Sequence, residues 1–474
     1  MRRFFTVFIS LVTLLTIFLC SCSSDQIDRG KELKRAMDTC DSKWSQAFPE
    51  GTADFEQIAD YIAGWGGNAG LEVTKKSDHY VILTNKATKG NKKSPSVTVA
   101  VSVDPSALRD YVPQLSLGMT SVLGPAHHGR IRLIVTEIAG KLYPGATSVS
   151  YDELKCSHFI DLAPSGTEKI YTDGPMSAIG HFDCRASRVK PSYANAFRIS
   201  IHIPEQIDPY TYDKEDSLPN PINVLGDLLA SAKSSGRLFE IASFTAKENG
   251  DFLPSEAKAV VVIDDNNVEA FQKRFETSFE AFQKRFGELN VAKDAEGNPV
   301  ETFTYTMEPV SVPSKVLRQT ASDNIISLMY TLQTGIHLQD EVTGDITAAS
   351  YIRSISTKGG RFRLDMDMRS RSKDDMEEMS GNYLITSGLC DVDYDSSKPA
   401  RTWSCKKDSS LAAWFTASVN KEDVNTTCLQ SSECDQFYRM NSSLDIISYH
   451  YDKSHRQTAL DNLLAYFTSL TEHD

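Results

Sequence analysis

The sequence predicts an α/β protein with a mixed sheet, built as two domains, and three observations lead there. The chain has 474 residues, and the part beyond its first apolar run, about 450 residues, is too long for one ordinary core and suits two domains. Short runs rich in β-branched residues alternate with helix-like segments in the first third of the chain, which is the pattern of an α/β layer. From Phe197 onward the pattern changes to a second, α+β series. With 40% hydrophobic and 24% charged residues, the composition is that of a globular protein and suggests neither disorder nor a fibre.

The first segment stands apart from the fold. Arg2 and Arg3 precede an apolar run from Phe4 to Leu19, which ends in Leu19, Cys20, Ser21 and Cys22. A charged start, a short apolar stretch and a small residue before the break form a secretory signal, and the cysteine at the break resembles the bacterial lipobox. That resemblance implies a signal peptide over residues 1–21, a lipid on Cys22 and anchoring to a membrane of the bacterial cell envelope, the outer membrane by expectation. A transmembrane helix competes with this reading, but the run is shorter than the ~20 residues of a span, and Ser23, Ser24 and Asp25 follow at once.

Net charge is −13, and the basic residues are scattered among acids, so no track for nucleic-acid phosphates exists and no nucleic-acid partner is expected. Of the nine cysteines, Cys20 leaves with the signal and Cys22 carries the lipid. The remaining seven include no Cys-x-x-Cys spacing, which argues against a zinc ribbon or redox motif. Export permits disulfides. Cys390 with Cys405, flanking an expected hairpin, and Cys428 with Cys434, in one polar loop, are the candidate pairs, with isolated buried thiols as the alternative.

Along the chain, Asp54 to Trp65 places Phe55, Ile58, Tyr61 and Ile62 at helical spacing before the stop at Gly66 and Gly67. Tyr80 to Thr84, Val97 to Val103, Ile131 to Thr136 and Phe159 to Leu162 read as strands. The second series comprises strand Arg198 to Ile203, helix Ile222 to Ser234 and strand Ala257 to Ile263. A local duplication of Glu-Ala-Phe-Gln-Lys-Arg-Phe follows, starting at Glu269 and again at Glu280. Its Phe271, Phe275, Phe279, Phe282 and Phe286 fall on one helical face, expected to pack on a sheet rather than on a partner or a membrane. Helix Asp323 to Leu332, strands near Ile346 to Ile355 and Phe362 to Met368, strand Asp445 to Tyr449 and helix Gln457 to Leu470 complete the series.

The order of these elements, with a set of short motifs, resembles the aminoacyl-histidine dipeptidases, di-zinc exopeptidases of the co-catalytic metallopeptidase clan. Their strand bearing His-x-Asp is matched by Val99 to Asp104, their Gly-rich loop by Ser116 to Ser121, and their His-Gly-Pro by His128 and Gly129. Ile131 to Glu137, Asp161 to Pro164, Asn220 to Leu225 and Phe252 to Ala257 follow in the same order. The block from Leu328 to Ser370 carries the most specific likeness, with Leu332 to Ile336, Asp340 to Gly344 and Met368, Arg369 and Ser370, after which Trp403 and Ser409 to Leu411 sit where the family has a Trp and a helix. By resemblance the fold is a zinc-exopeptidase-like mixed-sheet domain from residues 22–185 and 400–474, interrupted by an α+β, ferredoxin-like lid or dimerisation domain over 186–399.

The chemistry departs from that pattern. A zinc pair needs a bridging carboxylate, further His or carboxylate ligands and a Glu to take a proton from the bridging water. On this chain the first His falls on Ser102, the bridging Asp on Thr120 and a later Asp on Ala163, none of which supplies an imidazole nitrogen or an anionic oxygen. Asp104 matches the Asp that orients the missing His, Glu137 stands alone for the Glu-Glu pair, and His455 matches the last His loosely. These leave Asp104 and Glu137 as the candidate catalytic positions and no metal ligand. Arg369 matches the lid arginine that grips a substrate carboxylate, a task suited to a guanidinium fork; an ordinary ion pair at a strand end is the alternative.

The expectation is therefore a lipid-anchored protein with a metallodipeptidase-like fold that lacks metal ligands and works as a binding or scaffold protein. Its partners would be a peptide or small molecule, and a second copy of itself. The alternative is an active zinc-dependent exopeptidase that hydrolyses Xaa-His or related dipeptides.

Overall fold

The computed structural model describes residues 29–140, 142–203, 207–211, 220–286, 303–340, 346–418 and 429–471. Cys22, Cys428 and the Glu341 to Gly344 part of the family-like block lie outside the described residues. Two compact units divide the chain: unit 1 holds residues up to Gly174, Thr402–Cys428 and Ser432–Asp474, and unit 2 holds Pro175–Arg401 with Leu429–Ser431.

Unit 1 begins with helix α1 (29–47) and α2 (Phe55–Asn68), followed by β1 (Glu72–Lys76), β2 (Tyr80–Asn85), β3 (Val97–Val103), α3 (Leu108–Val122), β4 (Ile131–Glu137), α4 (Pro144–Ser148), β5 (His158–Ser165) and β6 (Lys169–Tyr171). Unit 2 continues with β7 (Met176–Arg185), β8 (Arg188–Val189), β9 (Asn195–His202), α5 (Pro221–Ser234), β10 (Phe239–Thr245), β11 (Glu256–Ile263), α6 (Val268–Phe286), β12 (Thr304–Val310), β13 (Val316–Leu317) and α7 (Gln319–Thr331). It ends with β14 (Gly335–Gln339), β15 (Ile346–Ser356), β16 (Arg361–Ser370), α8 (Lys373–Leu389), β17 (Asp393–Ser396) and β18 (Ala400–Arg401). The chain then returns to unit 1 with α9 (Ser410–Ser418), α10 (Glu433–Met440), β19 (Ile446–Asp452) and α11 (Arg456–Ser469).

In unit 1 a seven-stranded mixed sheet runs in the order β1-β2-β4-β3-β5-β19-β6. Its centre is parallel, β4 with β3, β3 with β5 and β5 with β19, which is why β3 and β4 are rich in Val, Ile and Leu and almost wholly buried on both faces, with the buried Arg132 inside β4 bonded to Thr98. One face carries α1, α2, α3, α9 and α11 over a core that includes Trp44, Ile58, Val99, Val101, Leu133, Phe415 and Leu463. The other face carries α4 and α10 over Tyr80, Ile82, Ala100, Ile134, Phe159, Trp403 and Phe437. Helix α3 lies close against the first face: a Cβ on Gly118 would stand 2.9 Å from Val101 Cγ1 and 3.1 Å from Leu133 Cδ1. The Ser116 to Ser121 segment, expected as a Gly-rich loop, is therefore the buried second half of a helix.

Unit 2 contains a βαββαβ element, β9-α5-β10-β11-α6-β12, whose four-stranded antiparallel sheet has the order β10-β11-β9-β12. That is the ferredoxin-like arrangement. The phenylalanine face of α6 packs inward: Phe271 and Phe275 are fully buried and Phe279 nearly so, with Phe271 stacked on Phe275 at 4.5 Å and edge-on to Phe239 at 5.2 Å. Each buried ring contributes about 2–3 kcal/mol of hydrophobic burial, which explains why so charged a helix keeps its place. A second sheet, β14-β15-β16-β7-β17 with β18 on β7, shares this core through Phe182, Phe362, Leu364, Met366 and Met368. The acids Asp374 and Asp375 lie in the first turn of α8 behind the Ser372 cap, where the helix dipole favours them.

Cys390 and Cys405 are both free thiols, one at the C-terminus of α8 in unit 2 and the other in unit 1. The expected hairpin between them is absent: Cys390 Sγ lies 3.3 Å from Thr331 Oγ1, and the chain runs on from it into β17 and β18. No helix among the described residues is long and apolar enough to cross a membrane.

Candidate functional site

In open α/β sheets, ligands meet the carboxyl ends of the parallel strands, so the ends of β3, β4, β5 and β19 are where chemistry is expected in unit 1. Strand register sets which side chains share that edge. Ser102 lies beside Thr136, Asp161 lies between Ala100 and Ser448, and Ala163 lies beside His450. Because side chains alternate along a strand, these residues share the α10 side of the sheet, in line with Ala100, Phe159 and Ile446.

The two candidate catalytic carboxylates stand at this edge with occupied oxygens. Asp104 accepts hydrogen bonds from the Ser106 backbone amide (2.9 Å), the Ser106 hydroxyl (2.6 Å) and the Gly140 amide (3.2 Å). Partial burial pushes its carboxyl up, but those three donors outweigh it and hold the pKa below the usual value. Asp104 thus caps the turn that leads into α3. Glu137 pairs with His79 Nδ1 at 2.5 Å. His455 sits in the turn before α11, with its Nδ1 2.9 Å from Asp452 Oδ2 and its side chain 70% exposed.

Thr120 lies elsewhere. α3 starts directly after β3 and runs back along the sheet, so Thr120 is twelve residues, ~18 Å of helix, beyond Leu108 and near the strands' opposite ends. The Asn85 side chain, at the end of β2, binds the neighbouring Val122 and Leu123 carbonyls. A loop able to return a ligand to Ser102 does not exist between β3 and α3.

What covers the edge is α10, which sequence reasoning had placed in a polar loop. Glu433 opens this helix and is 5% exposed. Its Oε1 accepts a 2.6 Å hydrogen bond from the Thr136 hydroxyl, and the Ser102 hydroxyl lies near enough to favour the ionised carboxylate. Its Oε2 is buried without a partner. The next residue, Cys434, directs its thiol at Asp161 Oδ2 (3.4 Å), which also accepts from the Ser448 hydroxyl at 2.8 Å. His450 Nε2 lies 3.1 Å from the same Ser448 oxygen. One turn further along α10, Phe437 packs against Phe159 with ring centres 4.8 Å apart.

Burial dominates the electrostatics here. It pushes the Glu433 carboxyl up to about 8, and the nearby Asp161 charge adds to the rise against the pull of the Thr136 and Ser102 hydroxyls. Asp161 is raised as well, chiefly by burial, with Ser448 and Cys434 opposing and Asp435 reinforcing. Burial pushes the Cys434 thiol well above its normal range and lowers His450 to about 4. The sequence held one signal for this helix, Ser432 followed three residues later by Asp435 and then Phe437; it is a capping box, and Asp435 Oδ2 accepts from the Ser432 amide at 2.6 Å.

The donor set at this edge does not fit a pair of divalent ions. Hydroxyls and a methyl group stand at Ser102, Thr136, Ser448 and Ala163, the Glu433 oxygen that meets this row is bound by the Thr136 hydroxyl, and Thr120 is remote. Among the described residues no group of three or more His, Cys, Asp or Glu side chains is arranged to hold a metal ion.

Arg369 belongs to unit 2 and is 5% exposed. Its Nη1 donates to the Leu429 carbonyl (3.1 Å) and the Ser431 hydroxyl (2.9 Å), and its Nη2 stands 3.4 Å from Asp251 Oδ1 and 3.5 Å from Asp367 Oδ2. The guanidinium lies 4.2 Å from the centre of the Tyr210 ring, a cation–π contact in a dry setting. It is an ion-paired arginine at the end of β16. His128, beside the exposed His127, is buried and bonds the Gly129 carbonyl through Nδ1 at 2.6 Å, a loop role.

No family model matches the chain, and no curated protein matches it. Among solved structures, the aminoacylhistidine dipeptidase of Vibrio alginolyticus is similar with a TM-score of 0.51 at 15% identity, over 93% of this chain and 97% of that one. A tripeptidase from Staphylococcus aureus gives 0.43 at 9% identity over 91% and 99%, and human carnosine dipeptidase 1 gives 0.40 at 9% over 94% and 99%. At such identities the likeness is one of fold: the chain has a mixed α/β architecture, with a ferredoxin-like element in unit 2, similar over most of its length to the Vibrio aminoacylhistidine dipeptidase.

Proposed function

We propose that this protein is a non-catalytic relative in fold of the metallodipeptidases, anchored by a lipid on Cys22 in the bacterial cell envelope and acting there as a binding or scaffold protein. The observation that carries this reading is the hydrogen bond of Glu433 to the Thr136 hydroxyl, beside Ser102, at the strand ends where a metal-dependent peptidase needs imidazole and carboxylate ligands. Two further features support it. β3 leads straight into α3 without a ligand-bearing loop, and Arg369 already has carboxylate partners of its own in Asp251 and Asp367. The ligand in this reading is a peptide or small molecule, and the lid is the surface for a second copy.

The test is bound zinc, measured by elemental analysis after dialysis against excess zinc on the protein starting at Ser23, together with hydrolysis of a panel of Xaa-His dipeptides. The expected outcome is no stoichiometric metal and no turnover. About two retained zinc ions per chain with dipeptide turnover would overturn the proposal and restore the active exopeptidase. The lipid is checked separately, by metabolic labelling with a fatty acid: incorporation lost in Cys22→Ala is expected, and equal labelling of that variant removes the anchor.

A further inference from the structure

Carboxyls buried without a cation are the feature of unit 1 that the proposed binding role leaves unused. Asp161 is 7% exposed and Glu433 5% exposed. They are linked through one turn of α10, since Glu433 bonds Thr136 while the adjacent Cys434 bonds Asp161. Two carboxylates that share a low-dielectric site do not both ionise without help. The groups around them offer little. β3 and β4 contribute the Ser102 and Thr136 hydroxyls, and β19 contributes Ser448 and then His450, whose ring faces Tyr171 of β6 edge-on. From α3 comes Tyr111, whose own ionisation is opposed by burial first and then by Asp104, Asp110 and Glu433; from α10 itself come Cys434 and Asp435. Lys169 of β6 acts on His450, and Arg439 of α10 turns to Gln436 at 3.5 Å. No lysine or arginine is hydrogen-bonded to either carboxyl among the described residues.

We propose that α10 is a proton-controlled cover: it docks on the carboxyl ends of β3, β4 and β5 while the Asp161–Glu433 cluster holds a proton, and it lets go of them when that proton is lost to solvent. The unpartnered Glu433 Oε2 is the oxygen that carries the proton at no cost in lost hydrogen bonds. Ionising both groups puts like charges under one helix turn, where the donors among the described residues are hydroxyls and a thiol. Release exposes Ser102, Thr136 and Asp161, the row at which open α/β sheets take ligands, so the helix sets when that edge can be reached. The inference does not depend on the chain being a binding protein, because it concerns the helix and not an occupant.

Hydrogen exchange of full-length protein, read at α10 with α11 on the opposite face of the sheet as internal control, tests it. Between about pH 6 and about pH 9, after correction for intrinsic exchange, protection of α10 is expected to fall by at least roughly tenfold relative to α11, and Glu433→Gln is expected to abolish that fall. Constant relative protection in the wild type, or an undiminished fall in the variant, overturns the proposal. Infrared difference spectra of the wild type give a readout that needs no variant to fold: a carbonyl band of a protonated carboxylic acid is expected at neutral pH and is expected to disappear on alkalinisation. Its absence at neutral pH overturns the proposal too.

Discussion

Arg369 in unit 2 and Glu433 in unit 1 are buried to the same extent, yet their surroundings handle charge in opposite ways. Around Arg369, two carboxylates, a carbonyl, a hydroxyl and an aromatic face meet one guanidinium. Around Glu433, two carboxyls meet three hydroxyls and a thiol. The first cluster is compensated by a fixed cation. The second is compensated by a proton, which solvent can remove. Burial alone therefore does not tell a structural ion pair from a titrating device; the sign and number of the partners do.

The largest effect should come from removing the fixed cation. Arg369→Met leaves Asp367 largely buried and unpaired, and denaturant unfolding of unit 2 is expected to lose about 3 kcal/mol. Adding Asp367→Asn should return part of that loss; if the double variant is as unstable as the single one, the ion pair is not what Arg369 supplies.

The proton-compensated cluster should show itself in the slope of stability against pH. The Glu433 carboxyl is raised to about 8 in the folded chain from about 4.3 in the unfolded one, so the folded state holds a proton that the unfolded state has lost. Its stabilisation is fully present below about pH 4 and is lost progressively as pH rises through about 8. Glu433→Gln should flatten this limb of the curve. A wild-type curve that rises over that window would place Glu433 with the ordinary ionised acids.

Smaller changes sharpen the contrast. Ser431→Ala removes one acceptor from the buried Arg369 guanidinium and should cost about 1–2 kcal/mol, seen as a shift in the same unfolding transition. Glu137→Gln breaks only the partly exposed pair with His79 and is expected to change stability by less than about 0.5 kcal/mol in chemical denaturation. A loss several times larger would mean that Glu137 has a role beyond this pair.

Much of the architecture was legible before any coordinates. The spacing of Phe271, Phe275 and Phe279 marked an inward helix face, and the β-branched runs of β3 and β4 marked strands of an α/β layer, because period and branching act on the local backbone. The Ser116 to Ser121 segment misled, since a Gly among small residues reads as a loop; Gly118 serves instead to bring α3 close to Val101 and Leu133. α10 was missed because two acids and a cysteine in eight residues look solvated. Its apolar residue Phe437 and its short capping box were too few to outweigh them.

The sequence by itself determined the main helices and strands other than α3 and α10, their order, the resemblance of that order to a peptidase fold, and the lack of ligand-type side chains at Ser102, Thr120 and Ala163. Only the tertiary structure decided that Glu433 comes to rest on Thr136, 297 positions away, and Cys434 on Asp161, 273 positions away. The reason is physical. Periodicity is enforced between neighbours a few residues apart, whereas the environment that fixes a carboxyl's charge is assembled by the sheet from segments that are strangers in sequence.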